Sequence, residues 1–221
     1  MAITIAQIKE LREATAAGMG ACKEALAATD GNMAEAVKYL REKGLAVAAK
    51  RVDKESKQGI VALAVADDKK SMALAEVNCE TDFCAKSELF QAFVKDICKV
   101  VLKDNPADVE ALKACKYPDS DLTVEETLPE KVMSIGENLQ IRRFARYDEN
   151  TSVAYVHAGG SRAVLVNLAV EGDIDATEIG KNVAMQIAAM NPQYISRSDM
   201  TDDELAKLRE ITVDSALNTP E

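Results

Sequence analysis

The sequence predicts an α+β protein: a three-helix N-terminal bundle followed by two α+β subdomains with antiparallel sheets and packed helices. Three observations carry this expectation. Apolar residues recur at helical spacing through residues 4–44. The stretches after Gly59 and after Asn138 switch to period-two alternation. Each of these strand-like blocks then gives way to helical periodicity, a weak repetition of α+β halves.

The elements follow in order. Thr4-Ile5-Ala6-Gln7 has the pattern of a capping box, and Ile5, Ile8 and Leu11 form a stripe behind it. Ala17-Gly18-Met19-Gly20 breaks the stripe, and a second helix runs to about Ala28. Asp30-Gly31 reads as a turn. Met33, Ala36, Val37 and Leu40 mark a third helix, which Gly44 is placed to end as a left-handed C′ residue. Residues 1–48 are therefore expected to be a helical module and 49–59, polar and basic without apolar period, a linker.

A first α+β subdomain is expected over 60–138. Val61, Leu63 and Val65 alternate with alanines, Asp67-Asp68-Lys69-Lys70 supplies a turn, and a second strand leads into Glu76. Phe90, Phe93, Val94, Ile97 and Val101 then repeat with the helical period. A short helix is expected over Asp108 to Ala114, and Thr123 caps another whose length Pro129 and Gly136 limit. A second subdomain is expected over 139–221. It has strands at 139–147, 152–158 and 163–170, with turns at Asp148-Glu149-Asn150 and Gly159-Gly160-Ser161. A helix from Ala176 to Met190 carries Ile179, Val183, Ile187 and Met190 on one face. Thr201 to Glu204 forms a capping box for the last helix.

Composition narrows the function. The chain has 221 residues, 48% of them hydrophobic and 29% charged, so it can bury cores and is not disordered by composition. Its net charge of −10 argues against direct nucleic-acid binding, which needs a basic stripe. Residues 1–55 carry nine basic and eight acidic groups, which leaves −11 on the remainder and sets the N-terminal module apart. The cysteines are Cys22, Cys79, Cys84, Cys98 and Cys115, with no CxxC, and no secretory signal opens the chain, as expected of a reducing cytoplasm. No apolar run approaches the roughly 18 residues of a membrane span, so no membrane association is expected.

Covalent chemistry fits poorly. His157 is the single histidine, so no histidine-based metal cluster can form, and no metal or cofactor is expected. A Cys–His pair built on Cys79 or Cys84 would need a lowered thiol pKa, which Glu80 and Asp82 oppose. GxxxxGK[ST] is absent. Gly159-Gly160 reads as a hairpin turn. The segment Glu76 to Lys86, EVNCETDFCAK, stands out because it sets Asp82 and Phe83 on a connection between a strand and a helix, where a large apolar side chain is either a lid on the core or a probe for a partner.

That segment resembles the VNCETDFVA signature of the elongation factor Ts family, nucleotide-exchange factors for elongation factor Tu. Leu11 to Leu26 (LREATAAGMGACKEAL), Ile135 to Phe144 (IGENLQIRRF) and Tyr155 to Gly160 (YVHAGG) resemble three further family strings, in the family's order, so the likeness covers about residues 4 to 196. The resemblance implies a ubiquitin-associated-type N-terminal bundle, no enzymatic activity, and elongation factor Tu as partner through its GTPase domain and a second surface. It implies that the loop Thr81, Asp82, Phe83 and Cys84 inserts beside the partner's Mg²⁺, with Phe83 as the wedge, and that Arg12, Met19 and Lys23 form a first contact surface. Ile135 and His157 align with further contact residues. For each of these a plain role stands beside the implied one. Asp82 suits a helix N-terminus, Met19 could close the bundle core, Arg12 and Lys23 could be solvated charges, Ile135 a core residue, and His157 a half-buried strand residue. The sequence departs from the family pattern at Gly20, where many members have Met, and at Cys84, where Val is usual. Full-length members usually continue into a helical hairpin and a returning segment. An end at Thr219-Pro220-Glu221 reads as a truncated chain or a short variant, and homo-oligomerisation is left open. The rivals are a ubiquitin-binding adaptor built on residues 1–50 and a thiol-dependent enzyme.

Overall fold

The computed structural model describes residues 3–67, 70–149 and 151–218. The turns expected at Asp67–Lys70 and Asp148–Asn150, and the chain end at 219–221, lie partly or wholly outside them. The mixed helix and antiparallel-sheet content makes this an α+β protein.

Helix α1 spans Ile5–Thr15, and Thr4 and Gln7 close the expected capping box before it. Helix α2 spans Met19–Ala28 and α3 spans Met33–Arg51. Ile8, Leu11, Ala17, Cys22, Ala25, Leu26, Ala36 and Leu40 bury one small core among them. Ile5, expected on the buried stripe, is exposed.

Two expectations fail at the end of α3. Gly44 does not end the helix: it lies buried within it, and residues 49–51 of the expected linker continue it. Helix α7, Val124–Ile135, supplies the reason. A Cβ on Gly44 would stand 3.2 Å from the Pro129 carbonyl oxygen, so the missing side chain lets the two helices touch. Arg41 bonds Glu130 at 3.0 Å across the same contact, and Met133 packs on the small core. Nor does Pro129 stop α7. Burial of Val124, Thr127 and Val132 outweighs the lost backbone bond, and Gly136 (φ 85°) ends the helix in the left-handed conformation.

Strands β1 (Gln58–Val65), β2 (Met72–Cys79) and β3 (Gln140–Tyr147) form one antiparallel sheet in that order. The boundary expected at 138/139 is therefore crossed, because β3 pairs with β2, with a bulge at Glu76/Val77. One face of the sheet, with Ala62, Ala73, Ala75 and Val77, packs against α5 (Glu88–Asp104). Phe90, Phe93, Val94, Ile97 and Val101 of α5 are all buried, as their period requires. A short α6 (Val109–Ala114), capped by Asp108, packs beside α7.

Strands β4 (Thr151–His157) and β5 (Arg162–Leu168) form a separate hairpin that lies against β1 and β2. Its turn seats Gly160 (φ 101°) so close to β1 that a Cβ there would come 2.8 Å from the Val61 carbonyl oxygen. Helix α8 (Thr177–Met190) covers the hairpin, but not with the expected face. Gly180 and Ala184 are buried, whereas Ile179, Val183 and Met190 are exposed. A Cβ on Gly180 would fall 2.7 Å from Val153 Cγ2, so close approach through small residues decided the face. Residues from Ala189 onward form a second compact unit. Within it, Thr201 and Glu204 close the capping box of α9 (Asp202–Asn218). No described helix is long and apolar enough to cross a membrane.

Candidate functional site

The chain leaves the sheet at Cys79 and turns at once into α4, Asp82–Lys86. Thr81 caps this short helix, its hydroxyl accepting from the Cys84 amide at 3.2 Å. Ser87 starts α5 in the same way, through the Phe90 amide at 3.3 Å. The helix is two-faced. Cys84 and Ala85 are buried in the main core, while Phe83 is 81% exposed. Asp82 also points outward and pairs with Lys86 at 2.7 Å, a bond that holds its carboxyl below the usual carboxylate range.

Two carboxylates clamp this turn to the α7–β3 corner. Glu137 accepts from the Glu80 amide (3.0 Å), the Thr81 amide (3.0 Å) and the Thr81 hydroxyl (2.6 Å). Glu80 in return accepts from the Asn138 amide at 2.6 Å and from Arg51 of α3 at 2.7 Å. Burial alone would raise the Glu80 pKa, but the Asn138 amide and the Arg51 guanidinium outweigh it and hold the group below its ordinary value. Asn138 also donates to the Lys54 carbonyl at 2.8 Å. The loop is thus tied to the end of α3, to the α7–β3 corner and to the core beneath, and its aromatic tip faces solvent.

Sequence reasoning missed Glu137, Glu80 and Arg51. The string IGEN drew attention, but to Ile135 and to the turn formers Gly136 and Asn138. An acceptor 56 residues from its donor leaves no local signal.

The remaining candidates are placed as follows. Arg12, Met19 and Lys23 are exposed on α1 and α2, and Met19, 49% exposed, lies outside the small core that α1, α2 and α3 bury. Ile135 is partly buried and packs against the main core. His157 is exposed at the end of β4, opposite Arg162, with Nδ1 2.8 Å from the Tyr155 hydroxyl. The structure brings Thr81 to Cys84 into one turn, and Glu137 ties that turn to the corner where Ile135 ends α7; the other candidates sit on separate elements.

The arrangement offers little to covalent chemistry. Burial pushes the Cys79 and Cys84 thiols upward, Cys84 further still through its neighbour Cys79 and then Glu137, which is opposite to what a nucleophile requires. What the geometry offers is an exposed aromatic side chain on a turn held by several hydrogen bonds.

Comparison with known proteins adds identity to this geometry. The family model described as Elongation factor TS matches residues 80–221, from the clamped turn onward. The protein named Elongation factor Ts from Clostridioides difficile (strain 630) is 44% identical over 218 residues, covering 98% of this chain and 72% of that one. Those from Trichlorobacter lovleyi and Halothermothrix orenii are 45% and 41% identical, covering 96% and 99% of this chain and 70% and 74% of their own lengths.

Proposed function

The chain belongs to the elongation factor Ts family of translation elongation factors, and from that premise we propose that it is a guanine nucleotide-exchange factor for elongation factor Tu. The observation that carries the proposal is Phe83, 81% exposed on a turn that two carboxylates and a buried core hold in place. An exchange factor makes and breaks no bond. It binds the nucleotide-free GTPase more tightly than the loaded one, and by reciprocity lowers the nucleotide's affinity by the same factor. The strongest grips on a bound guanine nucleotide are the phosphate loop and the Mg²⁺. A wedge that displaces the elements around that ion weakens both.

In this mechanism Phe83 enters beside the ion site of the partner's GTPase domain, with Thr81, Asp82 and Cys84 forming the rest of the inserted loop. A ubiquitin-associated-like N-terminal bundle docks on the same domain through Arg12, Met19 and Lys23. The β4–β5 hairpin with His157, and the corner at Ile135, hold the partner on a second surface. The contact of α3 with α7 supports a fixed distance between the first two grips. The proposed setting is the cytoplasm, with a protein partner and no nucleic acid, consistent with the net charge of −10.

The test is release of fluorescent GDP from purified elongation factor Tu. Addition of the folded chain is expected to accelerate release, and Phe83→Ala to weaken that acceleration by about 30-fold, the effect of losing a 2 kcal/mol anchor. A folded chain that leaves the release rate unchanged would overturn the assignment.

A further inference from the structure

Beneath the exposed turn, the Cys79 and Cys84 sulfurs and a Glu137 carboxylate oxygen all lie within 4.8 Å of one another. Both thiols are buried, Cys79 fully and Cys84 to 7% exposure, and Glu137 is partly exposed. We propose that Cys79, Cys84 and Glu137 form a binding site for one thiophilic divalent cation of the zinc type.

The donor set suits that class. Two thiolates and a carboxylate favour zinc over Mg²⁺ or Ca²⁺, which take oxygen ligands. Around a tetrahedral ion with Zn–S bonds of about 2.3 Å the sulfurs stand roughly 3.8 Å apart, so three atoms already within 4.8 Å of one another need to move by no more than about 1 Å. The third donor is already oriented. Glu137 is fixed by the Glu80 and Thr81 amides on Oε2 and by the Thr81 hydroxyl on Oε1. Such outer bonds orient a ligating carboxylate. Oε1, which accepts from the Thr81 hydroxyl and from neither amide, is the oxygen to turn to the ion while Oε2 keeps both amides. The Cys79 thiol now donates to the Thr81 carbonyl at 3.2 Å, and Cys84 interacts with both Cys79 and Glu137. Binding releases the two thiol protons to solvent and forms two sulfur–metal bonds and one oxygen–metal bond, with water in the fourth position. Entry runs along Glu137, the one partly exposed member of the three. Cys84 is the residue to vary, because Val in its place keeps the apolar bulk of a buried side chain and cannot coordinate.

The site shares Cys84 with the proposed exchange loop, but its test reads metal binding alone and needs no partner. The reduced, metal-free chain is titrated with Co²⁺, and thiolate-to-cobalt charge-transfer and tetrahedral d–d bands are recorded, followed by displacement with Zn²⁺. The expected result is saturation at a single equivalent, with bands that Zn²⁺ bleaches. Cys84→Val and Cys84→Ser are each expected to lower Co²⁺ affinity by at least about 100-fold, beyond the loss typical of an outer-sphere change, while keeping the circular dichroism of the parent. Cys115→Ser, at the partly exposed thiol bonded to the Ala111 carbonyl, is expected to bind as the parent does. A folded parent without thiolate–cobalt bands, uptake that does not saturate at one equivalent, or bands that survive in a folded Cys84 variant would each overturn the proposal.

Discussion

A phenyl ring left in water forgoes about 1.5–3 kcal/mol of burial, and Phe83 forgoes most of it at 81% exposure while its neighbours Cys84 and Ala85 are buried. Little folding energy therefore depends on the ring, and Phe83→Ala should change the unfolding free energy by no more than about 0.5 kcal/mol. That separation is what makes the GDP-release test clean: the variant loses the proposed wedge and keeps the fold. Glu137 is the converse case. It touches no solvent-facing tip, yet its carboxylate gathers two amides and a hydroxyl of the loop. Hydrogen bonds to a charged group contribute about 1.5–3 kcal/mol, so Glu137→Ala should speed hydrogen exchange of the Thr81–Lys86 amides by roughly 10- to 100-fold. Glu137→Gln, which keeps one acceptor, should fall between. Unchanged protection in Glu137→Ala would show that the core under Cys84 and Ala85 holds the turn without the clamp.

At the scale of elements, the contact of α3 with α7 has the most consequence. A glycine inside a helix costs about 1 kcal/mol relative to alanine, and Gly44 offsets that cost by letting the Pro129 backbone approach. Gly44→Ala sets the helix gain against crowding at 3.2 Å and should be near neutral. Gly44→Val adds branches that have nowhere to go, and should cost about 1–3 kcal/mol by overpacking, read as a lower denaturation midpoint. A Gly44→Val variant as stable as the parent would mean that α3 and α7 slide apart freely. Gly180 on α8 follows the same logic against Val153 and Leu168. In both places a helix chose its buried face by how near its backbone could come, and larger apolar residues were left outside.

Across the whole molecule, α5, the three-stranded sheet, the β4–β5 hairpin and α8 stack in sequence, and the centre of the first interface holds an ionisable group. Cys98 is fully buried, its thiol donating to the Ala62 and Ala73 carbonyls, and burial pushes it up to about 12. The folded chain keeps this proton when the unfolded chain, with a thiol near 8.5, gives it up. Stability from Cys98 is thus complete below about pH 8.5 and declines as pH rises toward about 12, by roughly 1.4 kcal/mol per unit. The buried Tyr117 hydroxyl and Cys84 shift in the same direction. Denaturant unfolding under reducing conditions should therefore show stability falling above about pH 8.5. Cys98→Ala should start lower, from lost packing, and fall less steeply. An equal slope would assign the alkaline loss to other groups.

The sequence by itself determined the helix starts at Thr4, Thr123 and Thr201, the buried stripe of α5, the strands of the first sheet, and the place of Phe83 on a connection between strand and helix. These depend on caps and periods that a few adjacent residues settle. That the Phe83 ring faces solvent rather than the core came only from the tertiary structure. Four quoted strings also carried the family. Only the tertiary structure decided that α3 passes through Gly44 to Arg51, that α7 continues through Pro129, that β3 joins the first sheet, and that α8 buries Gly180 and Ala184. It alone brought Glu137 to Thr81, and to the thiols of Cys79 and Cys84. The reason is common to all of them: each was settled by a backbone approach or a hydrogen bond between segments tens of residues apart, where local propensity costs at most a few kcal/mol and burial of a shared surface outweighs it.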